Sequence, residues 1–264
     1  MSGVDRIAEA FASAGAEGRR AALMPYLMGG FPDLETSLRI GLAYADSGAD
    51  LVELGVPFSD PLADGPVIHA AGTSALRSGA TVEGVLEVCR ELSQRIAVAV
   101  MCYSNPIFVR GIERFTDELL EASASGLIVP DLPLEEGAGL LQACERRGLA
   151  LVQLVAPTTP EERMARIAAA ARGFLYTVAL TGTTGGRAAL DRELVAMLAR
   201  ARAHAEVPVA LGFGIGDPAQ AAAAADAGAE GVIIGTRLVR AAGQEPDPVS
   251  AVAGLVRSFA AALH

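Results

Sequence analysis

Eight short apolar runs, separated by longer amphipathic stretches, restrict what this chain can fold into more than any other feature. They read ALMPYLM (22–28), DLVELGV (50–56), AVAVMCY (97–103), GLIVPD (126–131), ALVQLVA (150–156), GFLYTVA (173–179), VPVALGF (207–213) and EGVIIG (230–235). Nearly every position in them is apolar, which is the pattern of parallel strands covered on both faces. Between them the periodicity predicts helices over 35–46, 81–94, 111–123, 135–147, 160–171, 190–203 and 217–227. Leu140, Leu141 and Cys144 share one helical face, and Leu194, Met197 and Leu198 share another. Eight strand–helix units in 264 residues, at a spacing of ~25–30 residues, make an α/β chain of the (β/α)8 TIM-barrel type, which usually takes about 250 residues. The rival is a doubly wound open sheet, which normally carries a glycine-rich fingerprint after its first strand; GGFPD (29–33) does not fit it. No linker or break in composition divides the chain, so residues 1–264 are expected to form a single domain.

Composition removes several kinds of function. A net charge of −10 argues against nucleic acid or an anionic membrane as partner. No apolar stretch reaches the ~18 residues of a membrane span. MSGVDRIAEAFASAG (1–15) carries charges where a signal peptide has its apolar core, so a cytoplasmic location is expected. All 21 basic residues are arginine. Schiff-base chemistry on this chain is thereby excluded, because it needs a lysine amine. His69, His204 and His264 do not end strand-like runs, and Cys89, Cys102 and Cys144 are too scattered for a zinc site or a disulfide framework. No metal is expected, although carboxylates alone could still hold a Mg²⁺, and no cofactor is expected in this chain.

In a TIM barrel the active site lies where the strands end and the loops into the helices begin. That rule selects Tyr26, Glu53 with the loop to Pro66, Tyr103, Asp131, Tyr176 with the glycine-rich loop 182–186, Gly212 to Gly216, and Gly235 with Thr236. Two neighbouring loops, LGFGIGDP (211–218) and IIGTR (233–237), follow the seventh and eighth runs, where such barrels commonly bind phosphate. Glycine lets the backbone approach an anion, and the free N–H groups at a helix start supply donors. TGTTGG (181–186) can close the same pocket from the side. A backbone cradle explains how an acidic chain without lysine holds a phosphorylated substrate.

VELGVPFSDPLADGP (52–66) places Glu53, Asp60 and Asp64 among apolar residues, glycine and proline. Taken singly, Glu53 reads as a salt-bridge residue in the barrel mouth, and Asp64 as an Asx-turn or helix N-cap. Taken together, two carboxylates can supply one acid and one base if their surroundings set their pKa values apart. Glu53 on an apolar strand suits an acid that must hold its proton, and Asp64 on a wetter loop suits an anionic stabiliser.

The same stretch, with LMGGFPD (27–33), MCYSNP (101–106), GLIVPDLP (126–133), GFGIGDPAQ (212–220) and DAGAEGVIIGT (226–236), resembles the tryptophan synthase alpha subunit family from end to end. The resemblance implies retro-aldol cleavage of indole-3-glycerol phosphate to indole and glyceraldehyde 3-phosphate. Glu53 corresponds to the general acid/base, Asp64 to the carboxylate that takes the indole N–H, and Tyr176 to a tyrosine beside the glycerol chain. Tyr26, Met101, Tyr103 and Phe213 would line the indole pocket. Gly185, Gly214, Gly235 and Thr236 would hold the phosphate, and Thr184 would close over Asp64. Asp60 corresponds to a residue that communicates with a beta subunit. The implied partner is that pyridoxal-phosphate-bearing subunit, in an alpha-beta-beta-alpha heterotetramer that receives the indole for tryptophan synthesis.

The chain departs from the family where members usually read Ser-Arg-x-Gly-Val-Thr-Gly: here the loop is ALTGTTG (179–185), with Leu180 in place of arginine and Thr183 in place of valine. Those changes bear on lid closure and partner communication more than on phosphate. Tyr26 stands for a phenylalanine and His69 for a glutamine. Two other readings remain beside the leading one: a stand-alone lyase that releases free indole, and a non-catalytic barrel that regulates a beta subunit. The retained Glu53 and Asp64 weigh against the second. Another sugar-phosphate barrel enzyme, such as an isomerase, is more remote.

Overall fold

Parallel strands pair in sequence order until the eighth meets the first, closing a barrel. They are β1 (Ala22–Met28), β2 (Leu51–Gly55), β3 (Ala97–Met101), β4 (Gly126–Ile128), β5 (Ala150–Val155), β6 (Leu175–Val178), β7 (Val209–Gly212) and β8 (Gly231–Ile234). The computed structural model describes residues 1–178, 192–212 and 214–264. The (β/α)8 TIM barrel expected from the spacing is therefore the observed fold.

Successive side chains on a strand face opposite ways, and this divides the apolar residues into two layers. Val52, Leu54, Val98, Val100, Leu127, Leu151, Leu211 and Val232 point outward to the helices. Met24, Leu51, Ala97, Ala99, Ile128, Val152, Tyr176, Ala210 and Ile233 fill the barrel's inside. Because both faces are covered, the strands carry no polar alternation.

Every predicted helix forms, within a few residues at each end. Five further helices among the described residues are Gly3–Ala16, Pro66–Arg77, Ser104–Arg110, Thr236–Gln244 and Pro248–Ala262. The first closes the bottom of the barrel. It begins with a capping box between Ser2 and Asp5, and it places Ile7 in the interior cluster, with Phe11 against Phe174. Arg6 ties it down by donating to the carbonyls of Ser93, Ile96 and Ser123.

Several strands end sooner than their apolar runs. β4 stops at Ile128 because Pro130 cannot donate to a ladder. Residues 207–208 stay outside β7, where Pro208 contributes only its carbonyl, accepting from Leu175 N–H. β3 ends at Met101, so Tyr103 lies beyond the strand and forms the N-cap of Ser104–Arg110.

Candidate active site

Glu53 sits in the middle of β2, paired with Tyr26 on β1 and Ala99 on β3. Its side chain points into the barrel and is only 1% exposed. A carboxylate there has lost its water, and few groups replace it. The Tyr176 hydroxyl, reaching across from β6, donates to it, while Oε2 is buried with no partner among the described residues. Burial, then repulsion from Asp64, pushes the Glu53 pKa up to about 8, against the opposing pull of the Tyr176 hydrogen bond. At neutral pH Glu53 is therefore a neutral acid.

Small residues make the room. A Cβ on Gly55 would overlap the Tyr26 hydroxyl, and one on Gly212 would overlap the Tyr176 hydroxyl. The ends of β2 and β7 are glycine because two tyrosine rings lie across them.

Asp64 comes from the loop after β2 and is half-buried at the mouth. Tyr103 holds it: its hydroxyl donates to Asp64 Oδ1 at 3.0 Å and accepts from Ala63 N–H at 3.0 Å. The Tyr103 ring stacks on Phe58 of the same loop, with centroids 5.4 Å apart. Oδ1 is thus engaged, and Oδ2 has no donor among the described residues. Burial raises the Asp64 pKa, while the Tyr103 hydroxyl and the nearby His69 work against the rise. One carboxyl is deep and the other shallow, with donors at hand, so they are suited to opposite protonation states.

Tyr26 and Met101 line the inner wall beneath Asp64. Asp131, on the turn after β4, accepts from Ser104 N–H and Ser104 Oγ at 2.8 Å each, which ties that turn to the start of Ser104–Arg110. Gly214 holds a left-handed backbone with φ +83°, which only glycine adopts easily. Gly235 is the N-cap of Thr236–Gln244 without any side-chain cap, leaving the first N–H groups of that helix free for an anion at the mouth. This helix follows β8 directly. Asp60 is exposed and bonded only locally, by Ser59 Oγ at 2.6 Å. Thr184, Gly185 and Phe213 lie outside the described residues, as does the departing loop 179–187.

Two contributions were not legible as such. Tyr103 was expected to line the pocket, and it also positions Asp64. Phe58 was not singled out at all. The two contacts join the loop after β2 to the loop after β3, and no local pattern encodes them.

With this geometry in place, comparisons with known proteins are informative. The family profile described as tryptophan synthase alpha chain matches residues 11–261. The tryptophan synthase alpha chain of Prochlorococcus marinus (strain MIT 9313) is 49% identical over 252 residues, covering 94% of this chain and 91% of the relative. That of Trichormus variabilis is 41% identical over 251 residues, covering 94% of each. Among solved structures, Mycobacterium tuberculosis tryptophan synthase superposes with a TM-score of 0.90 at 37% identity, covering 98% of both chains. A chain from the Pyrococcus furiosus tryptophan synthase a2b2 complex, described for its mutual activation, gives 0.86 at 32% identity over 90% of this chain and 97% of that one.

Proposed function

This chain belongs to the tryptophan synthase alpha chain family, and from that premise we propose how Glu53, Asp64 and Tyr176 carry out the family's reaction. The chain is a carbon–carbon lyase that cleaves indole-3-glycerol phosphate to indole and glyceraldehyde 3-phosphate. The alpha reaction uses no cofactor, and pyridoxal phosphate belongs to the beta subunit with which this chain assembles. The whole of residues 1–264 serves as one catalytic domain. The reaction runs in the cytoplasm, a reading supported by a phosphorylated substrate that does not cross membranes unaided.

Glu53 gives its proton to indole C3. The ring becomes an electron sink, with positive charge centred on N1, and Asp64 Oδ2 accepts the N1–H and opposes that charge. Glu53, now a carboxylate, takes the proton from the hydroxyl on the side-chain carbon attached to C3. The bond between C3 and that carbon breaks, its electrons return to the ring, and the hydroxyl carbon becomes the aldehyde of glyceraldehyde 3-phosphate. Glu53 ends protonated, as it began. Tyr176 steadies the carboxylate stage by donating to it. Gly214, Gly235 and Thr236 hold the phosphate through backbone N–H groups.

The observation that carries this reading is a buried, half-partnered Glu53 beneath a half-buried Asp64 on the floor of a barrel mouth. General acid–base help of this kind is worth ~10²–10⁴-fold, and fixed orientation with electrostatic stabilisation supplies the rest.

The beta subunit docks on the same rim. Leu62 on the Asp64 loop is 91% exposed, and Phe108 and Val109, on the helix that Tyr103 caps, are 49% and 81% exposed. Apolar side chains left in water beside a mouth mark a contact surface, and Asp60 stands among them as the coupling residue.

Indole release from indole-3-glycerol phosphate, measured with the chain alone and then with a beta subunit, tests the reading. Indole and glyceraldehyde 3-phosphate should appear in equal amounts, faster with the partner present. A chain that binds the substrate and yields no indole under either condition would sink the assignment.

A further inference from the structure

Tyr26 is 6% exposed, and the one hydrogen-bond partner its hydroxyl has among the described residues is the thioether of Met28, at 3.9 Å. Sulfur at that distance is a weak acceptor. A buried hydroxyl so poorly served has a strong tendency to find a better partner. Its surroundings indicate where that partner would come from. The Tyr26 ring lies over Gly55, at the end of the strand that carries Glu53. Met101 packs beside it in the same small cluster. The charged groups that act on it are Asp64, then Glu53, with the Tyr103 hydroxyl beyond. Burial, then the Asp64 carboxylate, keeps the phenol protonated, so it has a proton to donate.

We infer that Tyr26 is a specificity-determining residue which lets the pocket take indole rings bearing a hydroxyl on the benzo edge, as well as the unsubstituted ring. The inference rests on the reading of this mouth as an indole site. With Asp64 taking N1–H and Glu53 facing C3, the five-membered ring is fixed at two points. The benzo edge must then lie against the remaining wall, which Tyr26 and Met101 provide. A hydroxyl at one ring position gives Tyr26 an acceptor and converts a thioether contact into a full hydrogen bond. A bond of that kind, net of its competition with water, is worth about five- to tenfold in affinity.

The probes are indole and its 4-, 5-, 6- and 7-hydroxy derivatives, with the four methylindoles as size controls. Binding is read by calorimetry on the full chain, for wild type and Tyr26→Phe, and indole-3-glycerol phosphate turnover is followed in parallel. One hydroxyindole isomer should bind wild type about five- to tenfold more tightly than the methylindole of the same position. Tyr26→Phe should erase that preference without altering the order of the methyl series. Equal hydroxyl-to-methyl ratios in the two proteins would overturn the inference. Absence of turnover with the hydroxyl preference intact would instead count against the lyase reading. The two failures are therefore separable.

Discussion

Glu53→Gln lowers the turnover of indole-3-glycerol phosphate by about 10²–10⁴-fold, the range in which a positioned acid–base group contributes. Glutamine has nearly the same shape and can still meet the Tyr176 hydroxyl, so the pocket keeps its form and phosphate-dependent binding survives. The variant should also be the more stable protein at neutral and mildly alkaline pH. Burial raises the folded pKa of Glu53 to about 8, while the unfolded value lies near 4.3. Between those values the folded state binds more protons than the unfolded one, so stability falls as pH rises. Below the unfolded pKa the wild type loses nothing. Across the window it loses about 1.4 kcal/mol for each pH unit, whereas glutamine does not titrate. Thermal melts at pH 5 and pH 8 should show the variant gaining on the wild type at the higher pH. Full turnover in Glu53→Gln would refute the mechanism, and a variant that is inactive because it is unfolded would refute this account of the site.

Asp64→Asn is the second large effect. Asparagine can still accept from Tyr103 through Oδ1, so the tie at 3.0 Å to the neighbouring loop survives. On the proposed mechanism, what disappears is the negative charge facing the indole nitrogen when positive charge develops there. Removing a preorganised electrostatic partner of a transition state costs about 10²–10³-fold in kcat. Binding of a non-cleavable indole phosphate should change far less, since the ground-state ring is uncharged. A steady-state comparison checks this: kcat falls while KM stays within a few-fold. If KM rises and kcat holds, Asp64 is a binding residue only.

Much of the fold was legible because its physics is local and repeated. Strands such as AVAVM, covered by helices outside and side chains inside, have no reason to alternate, and a run of that kind recurs in every unit. The strand ends were less legible, because proline and turn chemistry decide them: Pro130 ends β4, and Tyr103 leaves β3 to cap the next helix. The N-terminal helix Gly3–Ala16 carries a thin apolar signal in the sequence, since only Ile7 and Ala14 along it are fully buried.

At the site, a glutamate inside an apolar strand stands out in any reading of the sequence. Its neutrality at pH 7 depends on how few polar groups surround it, which only the closed barrel determines. Tyr103 was placed in the pocket from its position at a strand end. Its grip on Asp64 joins residues 39 apart along the chain, across two loops that fold together. The glycines after β7 and β8 are conspicuous in the sequence, and among the described residues Gly214 takes a left-handed backbone while the helix after Gly235 starts without a side-chain cap.

If the barrel holds Glu53 protonated so that it can act as an acid, the pH dependence of kcat/KM must carry its ionisation. This quantity reports the ionisation of the free enzyme. With Glu53 titrating near 8, kcat/KM should hold through neutrality and then fall on an alkaline limb centred near pH 8, with the slope of a single proton. The residual activity of Glu53→Gln should lack that limb. A profile that stays flat well beyond pH 8, or an acid requirement that titrates near the ordinary glutamate value, would contradict it.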